Sequence, residues 1–183
     1  MDYYHFVRRE IEPLLPKTPR RILEVGAGAG STLRWLKTLH SNVETTGVEI
    51  NPALRVELQR NADVAIIGPI EETLSRLTTY DLILLLDVLE HLHDSLGMLK
   101  KIIKLLEPQG CVIVSVPNIA HLSVSLPLLL LRRFDYRDAG ILDRTHRLSG
   151  GLLRHHLARQ YIMRGELNNQ EISQPRIRWM VAE

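Results

Sequence analysis

Cysteine is almost missing from this chain of 183 residues, since Cys111 stands alone. No internal disulfide can form and no thiolate cluster can hold a metal, so a reducing compartment fits best. Aromatic residues make up only 5% of the chain, and no aromatic cage is visible among them. Neither sign of charge dominates. Lys and Arg total 23, Asp and Glu total 21, and the net charge is +2, too mild to argue for a nucleic-acid partner. Long apolar runs are lacking too. The longest, from Leu122 to Leu131, contains Ser123, Ser125 and Pro127 and is about half of what a bilayer crossing needs, so no integral membrane segment is expected. The opening MDYYHFVRREIE has neither the apolar stretch nor the cleavage site of a signal peptide, and a cytoplasmic protein is expected. No repeat, low-complexity tract or Gly/Ser-rich linker divides the chain. What remains is an ordinary balance of 45% hydrophobic and 24% charged residues, which suits one soluble domain able to bury a sizeable core.

Hydrophobic periodicity then changes along the chain. Phe6, Val7, Ile11, Leu14 and Leu15 follow a helical spacing over Tyr3 to Leu15 that ends at Pro16. Arg21 to Val25 is a short apolar run ending in a Gly-rich turn, after which Ser31 can cap a helix reaching about His40. Val43 to Glu49 alternates as a second strand, and Asn51 with Pro52 opens the next helix. Val64 to Ile67 is a third strand. Asp81 to Asp87 is apolar on both faces, as a strand central to a parallel sheet must be. A helix is expected over Asp94 to Leu106 and a fifth strand over Gly110 to Val116. Further helices are expected over Leu122 to Leu131 and Gly151 to Gln160, with closing strands over Tyr161 to Leu167 and Ile177 to Val181. Such alternation predicts an α/β fold with a doubly wound, mostly parallel sheet. A ligand would sit beyond the carboxyl ends of its strands.

Polar residues gather where those ends fall. Ile22-Leu-Glu-Val-Gly-Ala-Gly-Ala-Gly30 joins a strand to a helix, and its glycines let a ligand approach the backbone. Ser31 stands where a dinucleotide fingerprint would have its third glycine, which counts against NAD. Glu24 would repel a pyrophosphate, so a cationic ligand fits better. Glu49 ends the second strand, where a carboxylate can accept hydrogen bonds from ribose hydroxyls or can simply face solvent. Asp87, Glu90 and His91 follow the central strand and are suited to proton transfer, to a divalent ion, or merely to capping the loop that follows. Asn118 and His121 follow the fifth strand, and Gly140-Ile-Leu-Asp-Arg-Thr-His146 is a polar segment farther on.

Assembled, these residues resemble the class I S-adenosylmethionine-dependent methyltransferases over nearly the whole chain. LEVGAGAGS is similar to their cofactor loop, VEINP to their second-strand acidic motif, and YDLILLLDVLEHL to the fourth-strand motif of the type 11 and type 23 groups. LLEPQGCVIVSVPN resembles their passage into the fifth strand. The PN-x-x-H and GILD-x-T-H segments are similar to those of small bacterial members found with sugar or lipid-linked glycan genes. The resemblance implies a Rossmann-like sheet of seven strands with helices on both faces, in one domain over residues 1–183. Residues 1–20 would form an N-terminal helix over the cofactor cleft, and 119–160 the helices and loop on the acceptor side. Glu24, Gly26, Gly28 and Gly30 would line the cofactor's methionine end, Glu49 would hold the ribose, Ile50 and Ile70 would enclose the adenine, and Asp87 would stand near the sulfonium. Two departures stand out. Pro69 occupies the place of an adenine-contacting Asp in related G-D-I-E segments, and Arg147-Leu-Ser-Gly-Gly151 replaces the usual R-F-F-T.

The expected activity is methyl transfer from S-adenosylmethionine to a small-molecule, sugar or lipid-linked acceptor, at oxygen. His91 and His146 are the candidate bases. Asp87, Glu90, His91 and His146 also resemble a metal-site pattern of certain O-methyltransferases, which would hold Mg2+. A methyltransferase-fold binding or regulatory module without turnover is the alternative, and an NAD-dependent oxidoreductase is a further rival. The acceptor and the oligomeric state are not legible from these residues.

Overall fold

A computed structural model describes residues 3–117 and 176–182. Within them, the apolar runs read above become six strands: β1 (Arg21–Val25), β2 (Glu44–Glu49), β3 (Val64–Ile67), β4 (Tyr80–Leu86), β5 (Leu106–Pro117) and β6 (Arg176–Ala182). Four α-helices lie between them: α1 (Ser31–Leu39), α2 (Arg55–Asn61), α3 (Ile70–Thr73) and α4 (Ser95–Ile103). The strands join in one sheet in the order β3-β2-β1-β4-β5-β6, each pair parallel. The architecture is thus α/β and Rossmann-like. A seventh strand was expected over Tyr161 to Leu167. That segment lies outside the described residues, as do the expected helices Leu122 to Leu131 and Gly151 to Gln160.

The two-residue period of a strand explains the core. Ile22, Leu82, Leu84 and Ile113 point to one face, where Leu33, Trp35 and Leu36 of α1 and Leu58 of α2 cover them. Leu23, Val25, Ile83, Leu85, Val112 and Val114 point to the other, against Ile70 of α3 and Met98, Leu99 and Ile102 of α4. Because both faces are covered, β1, β4 and β5 read as nearly continuous apolar runs. The chain builds outward from β1 to β3 and then returns to place β4 on the other side of β1. The carboxyl ends of β1 and β4 therefore border the switch point, where helices leave to opposite faces and a crevice forms.

Local signals set most element ends. Asn51 Oδ1 accepts from the Ala53 amide at 3.0 Å, so the second helix begins as a 3-10 turn at Pro52–Leu54 before α2. Asp94 Oδ1 accepts from the Gly97 amide at 2.8 Å and starts α4. Three expectations are corrected. The helix over Tyr3 to Leu15 is two 3-10 turns, Tyr3–His5 and Arg9–Leu14. Pro13 cannot supply an amide to a helix, and Arg8 has φ −81° and ψ 65°, its amide donating instead to Thr32 Oγ1 at 3.3 Å. The Asp94 helix stops at Ile103, and β5 begins at Leu106 rather than Gly110. Tyr80 pairs with Leu106 and Leu82 with Cys111, so the Pro108-Gln109 turn, with Gln109 at φ 70°, is a bulge within the strand. Third, a helix that the periodicity did not reveal, α3, follows β3 directly after Pro69. No helix among the described residues is long and apolar enough to cross a membrane.

Candidate functional site

The Gly-rich turn closes the carboxyl end of β1 through backbone bonds and the Glu49 side chain. The Gly26 and Ala27 amides both donate to the Val48 carbonyl of β2, at 2.8 and 3.0 Å, and the Gly30 amide donates to Ala27 O at 2.8 Å. The Gly28 amide donates to Glu49 Oε2 at 2.8 Å, while the Asn51 amide donates to Glu49 Oε1 at 2.8 Å. Glu49 is therefore fixed by two amides that pull its carboxylate inward, and a carboxylate keeps further lone pairs for other donors. Ala29 donates to Tyr4 O at 3.0 Å, so the first 3-10 turn lies on the loop. That approach requires Gly28. Its φ is +55°, and a Cβ there would sit 2.9 Å from Tyr4 O.

Glu24, the fourth residue of β1, is buried, and its Oε2 has no hydrogen-bond partner. Burial pushes its carboxyl up to about 8. The charge of Arg8 works against that rise and the charge of Glu49 adds to it. Such an acceptor is costly to leave unmatched and suits a cationic donor.

Across the crevice, Asp87 follows β4 with a left-handed backbone, φ 55°, which Asp tolerates better than most residues. Its Oδ2 accepts from Arg8 Nη1 at 2.7 Å and its Oδ1 from the Ser115 hydroxyl at 2.7 Å. Ser115, fully buried in β5, also accepts from the Asp87 amide and from Arg8 Nη2, both at 3.1 Å. One hydroxyl thus spends its donor and both acceptors. The Arg8 Nε donates to Glu10. Burial works to lower the pKa of Arg8, but Asp87 and Glu10 outweigh it and hold the guanidinium above its ordinary value.

Glu24, Gly26, Gly28, Gly30, Glu49 and Asp87 therefore meet at one end of the sheet. Ile50 is 68% exposed at the end of β2, whereas Ile70 is buried in the apolar cluster at the start of α3. Glu90 and His91 sit on the 3-10 turn Leu89–His91, with His91 exposed. Asn118, His121, His146, the Gly140 to His146 segment and the altered 147–151 segment lie outside the described residues. Among the described residues no three His, Cys, Asp or Glu side chains gather as a metal site. Asp87 holds a guanidinium 2.7 Å away, an arrangement that repels a divalent cation, so the described residues of this set do not fit Mg2+.

Two residues of the site escaped sequence reasoning. Ser115 carried a signal, a lone hydroxyl within the apolar run Val112 to Val116. Arg8 carried none, because only the tertiary course of the N-terminal segment brings it to Asp87.

A family model described as a methyltransferase domain matches residues 2–169. The chain belongs to this family. A curated relative, Methyltransferase str2 of Strobilurus tenacellus, is 29% identical over 109 residues, which are 60% of this chain and 40% of that protein. The chain thus spans about two fifths of that relative's length. Among solved structures, the plantazolicin methyltransferase BamL, determined with S-adenosylhomocysteine, shares 18% identity over 51% of this chain and 36% of its own, with a TM-score of 0.47. A TehB-like methyltransferase from Corynebacterium glutamicum shares 22% identity over 56% of each chain, with a TM-score of 0.46.

Proposed function

We propose that this protein transfers a methyl group from S-adenosylmethionine to an oxygen of a small-molecule, sugar or lipid-linked acceptor. The observation that carries the reading is Glu24, a buried carboxylate with an unpartnered oxygen beside a glycine turn at the switch point of the sheet. It fits the α-ammonium of the cofactor, while Glu49, held by two backbone amides, keeps lone pairs for ribose hydroxyls. When bound, the cofactor supplies an electrophilic methyl on a sulfonium. The task of this chain is then to align acceptor, methyl and sulfur and to exclude water. His91, on the turn after Asp87, and His146 are the bases proposed to take the acceptor's proton.

The first test is calorimetric titration with S-adenosylhomocysteine, with NAD as control. Saturable binding that NAD does not disturb is expected, and binding of NAD alone would replace the reading with a dehydrogenase. Replacing His91 by Ala should cut turnover of an identified acceptor and leave cofactor affinity nearly intact. Unchanged turnover would remove His91 from the chemistry.

A further inference from the structure

The two ends of the sheet carry opposite charge. At the carboxyl ends, Glu24, Glu49, Asp87 and Glu90 stand on or just past the strands that border the crevice. At the amino ends the sign reverses. Lys17 and Arg20 precede β1, Arg76 closes a 3-10 turn before β4, and Lys100, Lys101 and Lys104 crowd the last turn and cap of α4 before β5. Hydrogen bonds tie these stretches together. The Arg20 and Arg21 amides both donate to the Asp81 carboxylate of β4, at 2.8 and 3.0 Å, and the Tyr80 amide donates to Leu105 O at 2.8 Å. All six cations are exposed, and none forms an ion pair among the described residues. The acids of this end do not offset them. Glu107 pairs with Arg21 and Asp63 with Lys37, which leaves Asp81, bound by the two amides, and the exposed Glu44 at the start of β2.

We propose that this basic end of the molecule docks on an anionic lipid surface. Each Lys or Arg held near such a surface strengthens binding about fivefold, so six of them supply a reversible attachment that needs no inserted segment. A nucleic acid fits the patch less well. Four of the six are lysines, point charges suited to a diffuse field of headgroups rather than to the forked reading of a base edge. Tyr80, the aromatic residue that begins β4 among them, is buried and cannot stack on a base. The charge of the opposite end sets the orientation. With the amino ends of the strands on the lipid, the acidic crevice is repelled from the surface and opens into water. The proposal stands apart from what the crevice binds.

The test is co-sedimentation of the full chain with phosphatidylcholine vesicles containing about 30% phosphatidylglycerol, with pure phosphatidylcholine vesicles as control. Binding to the anionic vesicles alone is expected, and it should fade as added salt shortens the reach of the charges. Two double variants then locate the contact. Lys100→Glu with Lys104→Glu should weaken binding by about tenfold or more. Arg34→Glu with Arg55→Glu, the same change of net charge in the first turns of α1 and α2 at the crevice end, should weaken it by about twofold at most. All four positions are exposed, so both variants should keep the wild-type melting temperature. Failure to prefer anionic vesicles would overturn the proposal. Equal loss from the two variants would show that binding reads net charge rather than this face, and would overturn it as well. A DNA duplex that displaces the vesicles at equal phosphate concentration, and depends on the same lysines, would assign the patch to nucleic acid instead.

Discussion

The two halves of the crevice hold their carboxylates in opposite ways. On the β4–β5 side, Asp87 has both oxygens engaged, one by a guanidinium and one by a buried hydroxyl. On the β1–β2 side, Glu24 is buried more deeply and yet keeps an oxygen with no partner. A protein gains nothing in stability from the second arrangement, because a desolvated acceptor without a donor costs free energy. The difference teaches that the β4–β5 half holds the N-terminal segment through paired groups, whereas the β1–β2 half leaves a buried acceptor open, which the ammonium of the proposed cofactor would match.

Exchanging the carboxylates for amides should separate the two halves most sharply. Glu24→Gln should lower affinity for S-adenosylhomocysteine by about 10- to 100-fold, the range of one charge-assisted hydrogen bond, while leaving the melting temperature unchanged or higher. Asp87→Asn should do the reverse in stability, lowering the melting temperature by stranding a largely buried Arg8. Equal destabilisation by both changes, read by thermal unfolding, would erase the distinction.

The pH dependence follows with a definite sign. Glu24 titrates near the ordinary carboxylate range when unfolded and at about 8 when folded, so the folded state binds the extra proton between those values. Its contribution to stability is present at low pH and is lost as pH rises through about 8. The melting temperature of Glu24→Gln relative to wild type should therefore climb from pH 5 to pH 8, and a flat difference would show that Glu24 does not carry the raised pKa. Affinity for S-adenosylhomocysteine should rise over the same interval in wild type, because the ionised carboxylate is the form that meets an ammonium.

Smaller effects test the supports. Gly28→Ala places a Cβ 2.9 Å from Tyr4 O at a φ of +55° and should cost about 1–2 kcal/mol, measured by denaturant unfolding. Ser115→Ala removes the hydroxyl shared by Asp87 and Arg8 and should cost about 1 kcal/mol. A cost near zero for Ser115→Ala would mean that Asp87 and Arg8 hold each other without it.

Much of this was legible before the structure. The apolar runs of β1, β4 and β5 announce their burial on both faces, and Asn51 and Asp94 mark helix starts by their capping chemistry. Glu24, Glu49 and Asp87 were legible as neighbours because each lies near, at or just past the carboxyl end of a strand, and strand ends share one rim of a parallel sheet. Periodicity failed where tertiary partners overrode it. Val7, Ile11 and Leu14 do pack inward with helical spacing, but Pro13 and the Thr32 hydroxyl divert the backbone into separate turns. The passage into β5 misled for another reason: Pro108 and Gln109 do turn the chain, yet the residues on either side pair with β4. Arg8 was invisible because nothing local distinguishes it from Arg9, its neighbour, which lies over the ring of Trp35 instead.

The reach of Arg8 also orders events in time. Its partners on β4 and β5 lie 79 and 107 residues farther along the chain. During synthesis the Arg8 side chain cannot complete these bonds until Ser115 has been added and has joined the sheet. Loop closures of that length are slow compared with local turns. The Arg8 side chain is thus among the last of residues 3–117 to find its place.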